Sequence, residues 1–434
     1  MKTVFDYAAL ANECVKCAKC IPNCTIHRVS RDETTSPRGF IHLLSCVQNG
    51  TLKLDKHAKK IFESCFLCTH CVSVCPSQVP TDLMIEQARA EIKTQLGLAF
   101  YKRAIFFILK RRGLTNLLAR LGFVFKVCGF SEEKNGMRAR FSMPMIKKDR
   151  LLPSLKSRSF LETYPERIDF DGERQVAIFI GCFANYIYTG VGDSLLYILK
   201  HLKINAFIPK DQLCCGAPSY FTGDLQTTKW LIKYNIEYFE LFIGTVEAVL
   251  VPEATCSSMI IHDWLRVLEG EPEWQERARK IIAKVVIASK WLHKQTDLLK
   301  LLPENIGDQL TVTYHDPCHA RQTQGVHKEP RALLSMGYKL REMENPAQCC
   351  GFGGLTIQSD RFELAQAAGR EKSEMIIATN ADIVSAECSA CRLQLGNALF
   401  ERHSDMDFAH PLELVAQHLK NAADANAAAS VANG

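Results

Sequence analysis

The stretch Cys65-Phe66-Leu67-Cys68-Thr69-His70-Cys71-Val72-Ser73-Val74-Cys75-Pro76 sets three cysteines at every third position, a fourth four residues on, and a proline directly behind. Three thiolates so spaced close around one face of a cubane iron–sulfur cluster, and the fourth, before proline, reaches the neighbouring cluster. A second run, Cys14, Cys17, Cys20 and Cys24, precedes it, with Thr25 in place of the proline and Pro22 just before. The two runs together predict two [4Fe-4S] clusters. Under the crossover rule Cys14, Cys17 and Cys20 bind one cluster with Cys75, and Cys65, Cys68 and Cys71 bind the other with Cys24. Soft thiolate sulfur suits tetrahedral iron. Zinc sites bring two separated pairs of ligands, so two triple spacings leave too many thiolates for zinc.

The chain has 434 residues, 47% of them hydrophobic, enough for a substantial core and two to four domains. Its formal net charge of +6 counts every cysteine as neutral, so thiolates held in clusters make the loaded protein less basic. With no recognisable nucleic-acid module beside it, that charge does not argue for nucleic acid as a partner. Nineteen cysteines behind the polar start Met1-Lys2-Thr3-Val4-Phe5-Asp6 argue for a reducing compartment rather than a secreted disulfide scaffold. No stretch reaches the eighteen or so apolar residues that span a bilayer.

Residues 1–95 read as an all-α domain holding both runs, with helices over Arg38 to Val47 and Lys56 to Glu63, and a longer one capped by Asp82 and running through Ile92. In Ser36-Pro37-Arg38-Gly39 the proline suits a first helical turn, and the arginine is placed near a cluster or on the surface. Residues 96–172 mix Phe100, Ile105, Phe106, Phe107, Ile108, Leu109, Leu117, Leu118, Leu121, Phe123, Val124 and Phe125 with Lys102, Arg103, Lys110, Arg111, Arg112, Arg120 and Lys126. That mixture fits a basic amphipathic helix pair on a membrane surface, or ordinary helices packed on the flanking domains. An irregular linker with Pro144, Pro153 and Pro165 follows. The tail, 421–434, is almost all alanine, asparagine and serine and reads as disordered.

From Gln175 one plan appears twice, at 173–300 and 301–420. The first copy has a strand Val176–Ile180 ending at Gly181-Cys182, then Cys214-Cys215-Gly216, a strand Ala248–Val251 before Cys256, and a last strand Lys284–Ala288. The second has Leu310–Tyr314 before Asp316-Pro317-Cys318, then Cys349-Cys350-Gly351, a strand Ile383–Ala386, and Cys388-x-x-Cys391. Val286-Ile287-Ala288 aligns with Phe408-Ala409-His410 behind them. Strands alternating with helical stretches predict parallel sheet, with the cysteines on loops at its carboxyl edge, where ligands gather. The fold class is therefore α+β multidomain: a helical two-cluster ferredoxin domain followed by two repeated α/β lobes. Cys46 and Cys128, outside these patterns, read as buried small hydrophobes.

With these residues the chain resembles the cysteine-rich "CCG" family, whose signature is a lone cysteine, then Cys-Cys-Gly, then Cys-x-x-Cys. Its members include heterodisulfide reductase subunits, the iron–sulfur subunits of glycolate oxidase and lactate dehydrogenases, and a subunit of anaerobic glycerol-3-phosphate dehydrogenase. The resemblance implies a noncubane [4Fe-4S] cluster on Cys318, Cys349, Cys350, Cys388 and Cys391. In the first copy Cys182, Cys214, Cys215 and Cys256 are present and Met259 is taken to stand where the fifth cysteine would be. A thioether is a weak ligand, which leaves an ordinary four-thiolate cluster, a weaker one, or none. His315 and His319, flanking Cys318, are candidate hydrogen-bond donors that tune a cluster, or structural residues.

Several clusters make a wire, and no Gly-x-Gly-x-x-Gly follows a strand to hold flavin or nicotinamide. The resemblance implies a separate FAD-containing dehydrogenase subunit that oxidises a 2-hydroxy acid, glycolate or lactate first, and without which the chain does not act on that substrate. Electrons would pass to membrane quinone, with the chain cytoplasmic and peripheral on the cytoplasmic face of the inner membrane. Three alternatives stand beside this: direct disulfide cleavage by a heterodisulfide-reductase-like subunit, a glycerol-3-phosphate dehydrogenase subunit, and a redox or iron sensor.

Overall fold

The structure, a computed structural model, describes residues 5–134, 136–141, 148, 150–303 and 310–432. The start Met1 to Val4, Pro144 of the expected linker and the last two residues of the tail lie outside the described residues.

The first domain is helical, as its spacing predicts. Pro37–Gln48 starts with proline in its first turn, and the Ser36 hydroxyl accepts from the Gly39 amide at 2.9 Å. A Cβ on Gly39 would lie 1.9 Å from the Glu33 carbonyl, so only glycine permits this entry. Lys56–Phe62 is capped by Asp55. The long helix is Thr81–Leu96, ending at Gly97 with φ +71°. Asp82 does not cap it, because it sits inside the first turn and its carboxylate meets Arg266 at 2.9 Å.

The basic segment forms helices Phe100–Leu109 and Arg112–Gly129. Phe106 and Lys102 are buried from the first, with Lys102 Nζ 2.8 Å from Asp360 and 3.0 Å from the Thr356 hydroxyl. The second buries no residue fully and leaves Leu117, Leu121, Val124 and Phe125 exposed. The expected irregular linker contains ordered structure. Strands β1 (Phe130–Glu133) and β2 (Gly136–Ala139) pair antiparallel, and β3 (Leu151–Leu152) joins β2.

Both repeats form parallel sheet. Among the described residues, the first lobe contains β4 (Arg167–Ile168), β5 (Gln175–Ile178), β6 (Asn205–Phe207), β7 (Val249–Val251) and β8 (Val285–Ile287), in the order β4-β6-β5-β7-β8 with only β4 antiparallel. The second contains β9 (Thr311–Tyr314), β10 (Lys339–Leu340), β11 (Ile383–Ser385) and β12 (Asp407–Ala409), in the order β10-β9-β11-β12, all parallel. The pattern β6-β5-β7-β8 thus recurs as β10-β9-β11-β12. Runs such as Val249-Leu250-Val251 are continuously apolar because helices cover both faces.

The lobes interlock through two carboxylates. Glu253 of the first accepts from the Ser389 amide at 2.7 Å, at the start of helix Ser389–Glu401 in the second. Glu387 of the second accepts from the Ser289 amide at 3.0 Å, in the first turn of helix Ala288–Gln295. Each carboxyl group thereby accepts at the amino-terminal end of the other lobe's helix, although burial pushes both up to about 8. The last helix, Pro411–Ala432, places Leu412, Val415 and Leu419 in the first lobe's core beside Leu195 and Leu199, and it continues through the segment expected to be disordered as far as Ala432.

Candidate iron–sulfur centres

All nineteen cysteines lie outside disulfides; contrary to expectation Cys46 is only half-buried, and Cys128, on a helix that buries no residue fully, is exposed. In the helical domain they gather as the crossover rule predicts. Cys24, Cys65, Cys68 and Cys71 line one small cavity. Cys14, Cys17, Cys20 and Cys75 line a second, which Cys71 and Arg38 also border. Each pocket therefore joins three cysteines of one run to the fourth of the other. Arg38 reaches the second pocket with its guanidinium 2.8 Å from Glu33. Burial pushes the thiols of Cys65 and Cys24 up, Cys65 to about 12. Four thiols converging on one small cavity are a poor core filling and a fitting cage for a thiophilic iron centre.

In the lobes every site cysteine follows a strand. Cys182, Cys214-Cys215 and Cys256 come after β5, β6 and β7, and Cys318, Cys349-Cys350 and Cys388 with Cys391 after β9, β10 and β11. Because both sheets share one strand order, each set converges at the carboxyl edge. Cys182 touches Cys214, Cys214 touches Cys215, and Cys215 touches Cys256. In the second lobe the thiols run Cys318, Cys349, Cys350, Cys391 and Cys388, with Cys350 Sγ 3.3 Å from Cys391 Sγ. Hydrogen bonding from Cys391, helped by Thr255, draws the Cys388 thiol down to about 6.

This pairing corrects the sequence alignment of the repeats. Cys256 follows Cys215, and Cys391 follows Cys350, by 41 residues in both cases. The sheet register agrees: β5 sets Ile178 beside Leu250 and β9 sets Tyr314 beside Ser385, which makes Glu253 the counterpart of Cys388 and Cys256 that of Cys391. Met259 therefore does not replace a cysteine. It is fully buried among apolar residues, near Gly216, where it begins a π-helical turn. The position that departs is Glu253, whose carboxyl is raised to about 8 by burial and by Cys388.

Both sets open on one cavity of about 450 Å³ between the lobes, lined overwhelmingly by apolar atoms, with Glu253 on its wall. Phe66 of the helical domain and Ile105 and Leu109 of the first amphipathic helix complete that wall. His319 lines it too, stacked on Phe221 at 5.5 Å, with Nδ1 3.3 Å from the Thr255 hydroxyl and 3.9 Å from Cys318 Sγ. Burial holds its imidazole down at about 4. His315 lies behind the thiols, fully buried, and burial with Lys372 nearby keeps it at about 3.

The helical domain and the second repeat are in direct contact. The Cys68 thiol lies within hydrogen-bonding reach of Cys349. One path thus runs from the Cys14 pocket, across Cys71, to the Cys65 pocket and on to the second repeat. Its surface end is the exposed Cys17. Phe66, Glu253, Thr255 and this contact carried no signal in the sequence, since each depends on the packing of distant segments.

The cysteine-rich domain profile matches residues 176–261 and 312–396, and the 4Fe-4S dicluster domain profile matches residues 10–79. The chain is 28% identical over 411 residues to a probable glycolate oxidase iron-sulfur subunit of Bacillus subtilis, covering 91% of this chain and 90% of that one. It is 32% identical over 244 residues to lactate utilization protein A of Halalkalibacterium halodurans, covering 56% of this chain and 96% of that one. Lactate utilization protein A of Bacillus cytotoxicus is 30% identical over 228 residues, with 52% of this chain and 91% of that one covered.

Proposed function

The chain belongs to the family of iron–sulfur proteins with cysteine-rich (CCG) domains, and on that premise we propose that it is the electron-transfer subunit of a flavin-dependent 2-hydroxy-acid dehydrogenase, of glycolate oxidase or lactate-oxidising type. The observation that carries the proposal is the unbroken succession of thiol groups from Cys17 at the surface through Cys71 and Cys68 to Cys349. In this reading Cys14, Cys17, Cys20 and Cys75 hold one [4Fe-4S] cluster, and Cys24, Cys65, Cys68 and Cys71 the other. Cys318, Cys349, Cys350, Cys388 and Cys391 hold a third, of noncubane type. Cys182, Cys214, Cys215 and Cys256 offer four thiolates for a further one, with Glu253 beside them.

When bound, such clusters supply one-electron steps to a flavin that removes two electrons as hydride. The chain's own residues space these centres, keep water from them and set the surroundings of their sulfurs. The FAD subunit docks beside Cys17, and quinone takes electrons on the side of the inter-lobe cavity where Ile105 and Leu109 stand. Purification with the natural partner and a dye-reduction assay over a panel of 2-hydroxy acids tests this. Turnover is expected only with the flavoprotein present, and a purified complex without flavin rejects it. Thiol or disulfide turnover by the chain alone would favour the heterodisulfide-reductase-like reading, for which the five-thiolate set and the roomy cavity speak.

The proposal includes peripheral attachment to the cytoplasmic face of the inner membrane through helices Phe100–Leu109 and Arg112–Gly129. No helix among the described residues is long and apolar enough to cross a membrane. Residues 97–130 contain seven lysines and arginines and no aspartate or glutamate. Leu117, Leu121, Val124 and Phe125 fall on one exposed face of the second helix. Flotation with phosphatidylglycerol vesicles should show binding that weakens as salt rises. The double substitution Leu121→Asp and Phe125→Asp is expected to lower it at least about tenfold, because each inserted apolar side chain contributes about 1.5–3 kcal/mol. Equal binding by the variant would remove this face from the attachment.

A further inference from the structure

We propose that His315 is a nitrogen ligand of the iron centre in the second repeat, bound alongside Cys350 and Cys391. The inference rests on the reading that this repeat holds such a centre, and adds a donor outside the cysteine signature.

His315 leaves the end of β9 with its backbone amide donating to the Ser385 carbonyl at 2.9 Å. Its side chain is fully buried, and neither ring nitrogen has a hydrogen-bond partner. Imidazole carries one donor and one acceptor in its neutral form, and burying both unpaired is costly. A partner is therefore called for. The Pro346 carbonyl stands near the ring, and thiols stand close as well: a ring nitrogen of His315 and the Sγ atoms of Cys350 and Cys391 lie within 4.8 Å of one another. Two thiolates and a neutral imidazole at that mutual spacing can share one thiophilic metal ion, with nitrogen and sulfur at ordinary bond lengths from it.

The first repeat shows that the fold does not need a histidine here. Carried through the strand register, His315 corresponds to Phe179, also fully buried, whose ring packs edge-on against Phe239 at 5.9 Å. Asp316, the next residue, corresponds to Ile180, and is buried between Arg321 and Arg331. An apolar pair in one repeat is thus an imidazole and a carboxylate in the other. Only the second repeat places a nitrogen donor behind its thiols.

The test uses the full chain, purified anaerobically with its clusters, with and without 15N-histidine. The relevant paramagnetic signal is the one lost in Cys349→Ser, which establishes the centre separately from its ligation. Pulsed EPR on that signal should show a strong nitrogen coupling that scales with the isotope. It should persist in His319→Gln and vanish in His315→Gln. The inference is overturned by a signal with no such coupling, by a coupling that survives in His315→Gln or disappears in His319→Gln, or by the absence of any signal that Cys349→Ser removes. If His315→Gln does not fold, the isotope response of the wild type together with His319→Gln still decides.

Discussion

Cys349→Ser is expected to empty the second repeat of its centre, to leave the two clusters of the helical domain in place, and to cut electron flow from the flavoprotein partner to quinone by at least about 100-fold, the upper end of what loss of even an outer-shell partner costs a metal site. Three features make this thiol the most sensitive one. It is buried, it touches Cys318 and Cys350 within its own set, and it meets Cys68 of the helical domain. A serine hydroxyl there is a harder donor that stays protonated near neutral pH and does not replace a thiolate at iron. Iron and sulfide analysis should show less of both, with the EPR signals of the two cubane clusters retained. Reduction of a dye that draws electrons from the helical domain should fall far less than reduction of quinone. If quinone reduction by Cys349→Ser matched the wild type, the second repeat would lie off the path and the exit for electrons would have to be sought at the helical domain.

The parts of this site that could be read from the sequence are those whose ligands are close in the chain. Cysteines at every third residue declare a cluster because three donors from one turn-rich segment must face one centre, and the fourth of each run follows from the same rule. The structure brings Cys24 to Cys65, Cys68 and Cys71, and Cys75 to Cys14, Cys17 and Cys20, with Cys71 bordering both pockets. The parallel lobes were legible for a similar reason, since β5, β7, β9 and β11 are short runs rich in β-branched residues, each followed within five residues by a cysteine. Strands β6 and β10 were not named, because Asn205-Ala206-Phe207 and Lys339-Leu340 are too short and too polar at their start to stand out from loops. The place of Met259 is ambiguous in the sequence for a physical reason too. Counting forward from Cys256 treats it as the first cysteine of a pair, whereas the fixed length from the Cys-Cys turn to the end of the third strand makes it the second. Only the register of β5 with β7 and of β9 with β11 shows which count the fold obeys. The contact of Cys68 with Cys349 was invisible for another reason: nothing local encodes which lobe the helical domain rests against.

What holds that domain against the lobes is expected to fail most sharply at Arg89. Its side chain is buried in the helix Thr81–Leu96, and its guanidinium donates to the carbonyls of Phe62 at 3.1 Å, Cys65 at 2.6 Å and Phe221 at 2.7 Å. Two of these acceptors lie in the helical domain, one of them on a proposed cluster ligand, and the third lies in the first lobe. A single cation therefore ties the Cys65 pocket to the repeat beside it, and its charge opposes the burial that raises the Cys65 thiol. The packing on the lobe side leaves no room to adjust, since a Cβ on Gly223 would come within 2.4 Å of the Arg89 carbonyl oxygen. Arg89→Met keeps most of the volume and removes every donor. Three buried carbonyls then lose their partner at about 1–3 kcal/mol each, so a net destabilisation of about 3–5 kcal/mol is expected after partial rehydration. The measurement is the denaturant concentration at which the anaerobic holoprotein loses its cluster absorbance, compared with Arg89→Lys. Lysine restores the charge but not the planar fork that reaches three acceptors, so it should recover only part of the loss. If Arg89→Met released its clusters at the wild-type concentration, the joint between the helical domain and the first lobe would have to rest on the apolar contacts of Met84, Ile85 and Ala88 instead.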